Sequence, residues 1–211
     1  VKLLGGDRLP FGTRHRRHRT INFGAIFPTG EMTQLWFRVQ TESSLQLPVR
    51  IYTERKFGEM TSAENMGLGL YYGILLIMIF FNALLAMGLK DRDYALYCGY
   101  LTFLLLTTMG LNGTLFQYIF PESPDLANRG LLISLNLAIA FAVAFTHEFL
   151  TAPKLMPKLS KLLRASSIYF VVMAILSNIV SYQTMIRLYV PFAMMSFLLI
   201  LAAGAVGYRR G

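Results

Sequence analysis

Apolar residues in this chain follow two patterns, and the change between them divides it. From Met66 onward they gather into five long runs almost free of charge: Met66–Leu89, Ala95–Phe120, Gly130–Thr146, Ala165–Ile186 and Leu188–Tyr208. An α-helix needs about 20 apolar residues to cross a bilayer, and inside lipid it satisfies its own backbone hydrogen bonds. The runs therefore predict a membrane-embedded all-α helical bundle with spans at about 66–89, 95–120, 130–149, 165–182 and 188–208. Before Met66 the period drops to two. Ile21, Phe23 and Phe27, then Leu35, Phe37 and Val39, then Leu45, Leu47, Val49 and Ile51 all sit on odd positions. Such alternation puts apolar side chains on one face of a strand.

Phe27-Pro28-Thr29-Gly30 and Thr41–Ser44 read as the turns between these strands. Three strands cannot close a sandwich core by themselves. They are expected to be the last strands of a larger β-domain whose earlier part is missing. The domain reading is a β-head over residues 1–57, a linker over 58–65 and the bundle over 66–211. The chain opens on Val1 without a secretory leader pattern, and its head is short, so a fragment of a longer protein is expected.

Charge sharpens this picture. Only 15% of residues are charged and 55% are hydrophobic, against roughly 25% charged in a soluble domain. The net charge of +9 is spread out, with ten of the twenty Lys and Arg in residues 1–57. Apart from Arg14–Arg19 no basic cluster forms, which argues against nucleic acid as a partner. The connectors after spans one, three and five carry Lys90 and Arg92, then Lys154, Lys158, Lys161 and Arg164, then Arg209 and Arg210. Those after spans two and four carry Arg129 and Arg187 alone. By the positive-inside rule the head lies outside and the C-terminus in the cytoplasm.

Candidate chemistry is sparse. No G-x-S-x-G elbow, H-E-x-x-H, P-loop or Cys/His cluster appears, so no catalytic residue, metal site or cofactor is expected. Cys98 stands alone within a span and reads as a buried hydrophobe. Gly69-Leu70-Tyr71-Tyr72-Gly73 is a GxxxG pattern, in which Gly69 and Gly73 let another helix come close. That helix is expected to be a bundle neighbour, with a homodimer as the other reading. Asn82, Asn112, Asn136 and Asn178 are expected to hydrogen-bond across helices. His147 and Glu148 sit at a span end, adjacent in sequence and so on different faces, and are expected to belong to the interface. In the head, Trp36 and Arg38 share the face opposite Leu35, Phe37 and Val39. A Trp beside an Arg can stack on a sugar ring or hold a carboxylate, making these two the candidate ligand-binding residues.

Several stretches resemble one family, the bacterial seven-transmembrane receptors with diverse intracellular signalling modules (7TMR-DISM). They are Gly6-Asp7-Arg8-Leu9-Pro10-Phe11, Leu35-Trp36-Phe37-Arg38-Val39-Gln40 and Ser44-Leu45-Gln46-Leu47-Pro48-Val49 in the head. In the bundle they are Gly69–Gly73, Asp91-Arg92-Asp93-Tyr94-Ala95-Leu96-Tyr97, Gly110-Leu111-Asn112-Gly113 and Gln117-Tyr118-Ile119-Phe120-Pro121. The resemblance implies a bacterial inner-membrane receptor of seven spans, of which the first five are present, preceded by an incomplete, jelly-roll-like β-sandwich as its sensory head. It implies a small-molecule or carbohydrate ligand outside, and a cytoplasmic signalling domain in cis, such as a diguanylate cyclase or histidine kinase, beyond Gly211. The expected function is signal transduction across the bilayer, with a polytopic transporter or channel subunit as the alternative.

Overall fold

The computed structural model describes residues 3–40, 47–150 and 156–210. Five helices dominate it: α1 (Glu54–Leu89), α2 (Arg92–Leu111), α3 (Pro124–Phe149), α4 (Pro157–Leu176) and α5 (Tyr182–Arg210). All five are long and apolar enough to cross a membrane.

The helix boundaries differ from the expected spans where polar residues prove helical. α1 begins at Glu54, with the Thr53 side chain capping the Lys56 N–H at 3.4 Å, so the stretch expected as a linker continues the first span. At 1.5 Å per residue α1 is about 54 Å long, against a hydrocarbon core of roughly 30 Å. It is thus longer than one crossing needs, and its first three turns hold the polar stretch of residues 54–64. It stops at Lys90, which takes the left-handed conformation (φ 54°), and Asp91 then caps α2 by accepting from the Asp93 N–H at 2.9 Å. The Lys90–Asp91 pair thus makes a two-residue helical hairpin. Lys158, Lys161 and Arg164, expected in a loop, lie on α4. The second span ends at Leu111 rather than Phe120, and a π-helical turn, Leu115–Ile119, follows it. α5 runs through Pro191 as one helix.

α3 is the centre of the bundle, packing against α2, α4 and α5, while α1 rests mainly on α2. Small side chains permit the closeness. A Cβ on Gly99 would come within 2.4 Å of the Phe141 ring, and one on Gly110 within 2.8 Å of Leu131. These two glycines of α2, not Gly69 and Gly73, let helices meet. Around Gly69 and Gly73 no atom lies within 4 Å of where a Cβ would be, so the close approach to a bundle neighbour expected of them is not made among the described residues. Leu70, Ile77 and Phe80 on α1 are exposed, as side chains facing lipid are.

Hydrogen bonds between helices come from hydroxyls, an imidazole and a thiol, Cys98 Sγ donating to Ile79 O at 3.7 Å. Tyr72 Oη lies 3.0 Å from Thr114 Oγ1, and Ser166 Oγ 2.7 Å from Ser196 Oγ. Ser167 Oγ donates to Ala140 O at 3.0 Å, and His147 Nε2 lies 2.9 Å from Ser160 Oγ. The asparagines expected in this role instead donate within their own helices, Asn82 to Met78 O and Asn136 to Leu132 O, each at 2.8 Å. Asn112 and Asn178 likewise bond to Thr108 O and Ile175 O. A carbonyl one turn back is always within reach of a short amide, and that local partner wins over one on another helix.

The alternating stretch does not form a ladder. Residues 20–40 and 47–52 contain no strand, and Ile21, Phe23, Leu35, Phe37 and Val49 are exposed. Alternation specifies a face, but a strand needs a second one alongside for its hydrogen bonds, and none lies there among the described residues. The turn at Thr29-Gly30 is present, with Gly30 at φ 82°. The second expected turn, Thr41–Ser44, and the strand position Leu45 lie outside the described residues.

Candidate signal-transfer site

The best-built polar and aromatic cluster lies where the segment before α1 meets one end of the bundle. Pro10 fixes the entry to a single 3₁₀ turn, Phe11–Thr13, and sends Phe11 inward. The Phe11 ring is 7% exposed and meets Phe116 edge to face, with centroids 5.7 Å apart. Its backbone N–H donates to Pro121 O at 2.8 Å. Two stretches singled out by their residues, Gly6–Phe11 and Gln117–Pro121, thus prove to be partners in space. Burial of a phenylalanine contributes about 1.5–3 kcal/mol, more than any other single contact here, so Phe11 is the anchor.

Arg14 holds the next layer. Its guanidinium carbon lies 4.9 Å from the Phe11 ring centre and 5.1 Å from that of Phe116. Its Nη1 donates to His18 O at 2.7 Å and to Arg19 O at 2.8 Å, curling residues 14–19 into a hook. Burial pulls the Arg14 guanidinium below its ordinary value, an effect that nearby Asp7 partly offsets. The hook then reaches two elements. Arg19 O comes so close to Gly113 that a Cβ there would lie 2.9 Å away, and Gly113 has φ 75°, which favours glycine.

On the other side the hook grips the protruding turns of α1. Arg16 pairs with Glu54, and Arg19 with Glu64. The Arg19 side chain is only 11% exposed, which lifts its pair above the few tenths of a kcal/mol usual for exposed pairs. His18 packs its ring on Phe57 with centroids 5.2 Å apart. His18 Nδ1 accepts the Thr20 N–H at 3.2 Å and lies 2.8 Å from Thr20 Oγ1, while Nε2 is buried without a partner among the described residues. Burial first, and then the charge of Arg19, hold His18 below its ordinary value, so the neutral ring fits this site.

The segment of residues 10–24 is thereby joined at once to α1 and to the connection between α2 and α3. Tyr72 and Thr114 join the same two elements a little deeper. Such a clamp has no group placed for bond making or breaking. It can transmit a shift of the head to two helices together.

The residues expected to bind ligand lie elsewhere. Trp36 is 90% exposed and Arg38 is exposed as well, and neither takes part in the clamp. His147 and Glu148, expected on different faces, converge at the other end of the bundle with Nδ1 and Oε2 3.7 Å apart. They lie on the last turn of α3, where no further turn separates them. Among the described residues no three His, Cys, Asp or Glu side chains are grouped to hold a metal. The clamp itself was missed from sequence, although Arg14–Arg19 stood out as the one basic cluster and Glu54 and Glu64 lay within reach in number.

Residues 64–211 match the family model described as 7TM diverse intracellular signalling. The chain belongs to the 7TMR-DISM family. Residues 1–53 match a second model of that family, 7TMR-DISM extracellular 2, so the first match begins within α1 and the second ends at its cap, Thr53. No curated protein and no solved structure matches the chain. This 7TMR-DISM protein is a multi-pass membrane receptor of a signalling family with an extracellular domain, and both matched domains are sensory rather than catalytic. The clamp is then the junction between its extracellular and membrane domains.

Proposed function

We propose that this receptor couples ligand binding by an extracellular β-sandwich to a signalling output in the cytoplasm of a bacterium, across the inner membrane. The observation that carries the reading is the clamp: Phe11, Arg14 and Arg19 tie the matched extracellular segment to both α1 and the α2–α3 connection. A ligand can shift a bundle only by the difference in its affinity for two bundle states. A head fixed at two points can impose that difference, because moving it must change the α1–α2 contact or strain it. The rigid top of α1 makes the lever a stiff one, where a flexible linker would absorb the motion. The match of residues 1–53 to an extracellular family model supports a sensory domain outside, and the exposed Trp36, with Arg38 two residues on, supports a small-molecule or carbohydrate ligand there. The bias of Lys and Arg to the connectors after α1 and α3 supports a cytoplasmic C-terminus, on which an output domain in cis would act.

The test is made on the whole chain in lipid nanodiscs in a Cys98→Ser background. Spin labels at Leu89 and Leu162, both exposed near the end remote from the clamp, report the inner-end separation. Phe11→Ala is expected to shift or broaden that distance distribution. An unchanged distribution, with the segment shown to be released by hydrogen exchange, would overturn the coupling. Solute flux through vesicles carrying the chain would favour the transporter alternative instead.

A further inference from the structure

At the end of the bundle remote from the head, a cavity of about 560 Å³ opens between α2, α3 and α4, within the roughly 300–1,000 Å³ usual for ligand sites. Its floor is α3, where the small side chain of Ala144 leaves the hollow. Its mouth carries Arg92, the first residue of α2, and Arg164 of α4, with Glu148 and His147 beside them. Leu96 and Phe141 line it with hydrocarbon, as does Ile168, which is itself exposed. Two of the polar groups in the lining are engaged elsewhere. Ser167 Oγ donates to Ala140 O, and His147 Nε2 meets Ser160 Oγ. Glu148 Oε2 lies beside His147 Nδ1. No ion pair or hydrogen bond joins Arg92 or Arg164 to another described residue. Glu148 is the one carboxylate of the lining, and Lys90, Asp91 and Asp93 flank Arg92 in the adjoining hollow.

We infer that this cavity is a binding site for an anionic phospholipid of the leaflet remote from the head, its phosphate held by Arg92 and Arg164 and one acyl chain laid along Leu96, Phe141 and Ile168. A guanidinium presents paired N–H donors that match phosphate oxygens, and basic pockets between spans take lipid headgroups by this chemistry. The mixed lining selects the lipid over a free phosphate, which would leave the apolar part uncovered. A bound lipid would bridge α2 and α4, the two helices that flank α3 and each pack against it. Its phosphate would give the two unpaired guanidinium groups a partner. Occupancy would therefore stiffen the same end of the bundle from which a signal must leave.

Lipid binding is measured by native mass spectrometry of the whole chain in detergent with added phosphatidylglycerol, and compared with phosphatidylcholine, diacylglycerol and inorganic phosphate. Phosphatidylglycerol is expected to be retained in preference to the other lipids, and inorganic phosphate not to displace it. Arg92→Gln with Arg164→Gln should weaken retention about tenfold, as should Ala144→Leu, which fills the hollow and leaves the charge unchanged. Arg187→Gln, the loss of one such charge at the opposite end, should have no effect. Equal retention by all four proteins would overturn the site, as would equal retention of phosphatidylcholine. Displacement by millimolar phosphate would make it a free-anion site and overturn the lipid assignment. Should the double Gln variant not elute as a folded species, Arg92→Lys with Arg164→Lys takes its place. That pair keeps the charge but not the forked donors, so a several-fold loss is expected and no loss would count against the proposal.

Discussion

The two ends of this bundle use the same residue types to opposite effect. At the outer end Arg14, Arg16 and Arg19 are all engaged, by two aromatic rings, two backbone carbonyls and two glutamates. At the other end Arg92 and Arg164 face a cavity without a partner among the described residues. The difference lies in what the chain brings to each place. Outside, residues before α1 fold back over it and supply both apolar cover and carbonyls. At the remote end, α1 and α2 are joined by a two-residue hairpin whose one carboxylate, Asp91, caps the Asp93 N–H. A closed clamp suits an input that must move with its partners, and an open basic groove suits a site that exchanges its occupant.

The largest expected effect comes from removing the anchor of the closed end. Phe11→Ala should cost the docked segment about 3 kcal/mol, seen as faster amide exchange over residues 11–20 while α3 stays protected. Equal protection before and after would mean that the segment is held by something else. Next is Gly113→Ala, which meets both a left-handed backbone and the approach of Arg19 O. A loss of about 2 kcal/mol is expected from the same measurement.

The pair Arg19 and Glu64 separates charge from shape. Arg19→Glu should loosen the hook by about 1 kcal/mol, and adding Glu64→Arg should restore part of it. A double-mutant cycle without coupling would remove this pair from the clamp.

Acid should open the closed end and spare the other. His18 is held below its ordinary value of 6.5, so the docked segment binds fewer protons than the released one. Docking is then complete above about pH 6.5 and weakens as pH falls through the docked value. Protonating Nδ1 also removes the acceptor of the Thr20 N–H. Amide exchange of residues 11–20 should quicken on acidification in the natural chain and lose that dependence in His18→Gln. At the open end the smallest change is expected. Arg92→Gln and Arg164→Gln, measured without anionic lipid, should leave thermal stability within about 0.5 kcal/mol, since neither charge has a partner to lose.

Much of the membrane architecture is legible in the residues, because lipid imposes a length and an apolarity that few sequences meet by accident. The five runs gave the five helices. Their ends were misplaced wherever a polar stretch is helical for a reason outside itself. Glu54–Asn65 has no apolar run to announce it, yet the hook of residues 14–19 braces it through Glu54 and Glu64. The glycines mislead in a similar way. Gly69 and Gly73 have the right spacing for a close helix approach but face open space, whereas Gly99 and Gly110 lack the spacing and meet α3. Spacing along one helix cannot say which face its neighbour takes. Trp36 and Arg38 share a parity, and parity places side chains only relative to a strand that the described residues do not form.

By itself the sequence determined the five runs that become, among the described residues, five helices long and apolar enough to cross a membrane, since the hydrophobic effect acts on local composition. Its motifs also carried the family. Only the tertiary structure decided that Phe11 meets Phe116 and Pro121, that α3 lies at the centre, and that Arg14–Arg19 is a clamp while Arg92 and Arg164 are left open. These depend on contacts between residues far apart in number, which no local pattern encodes.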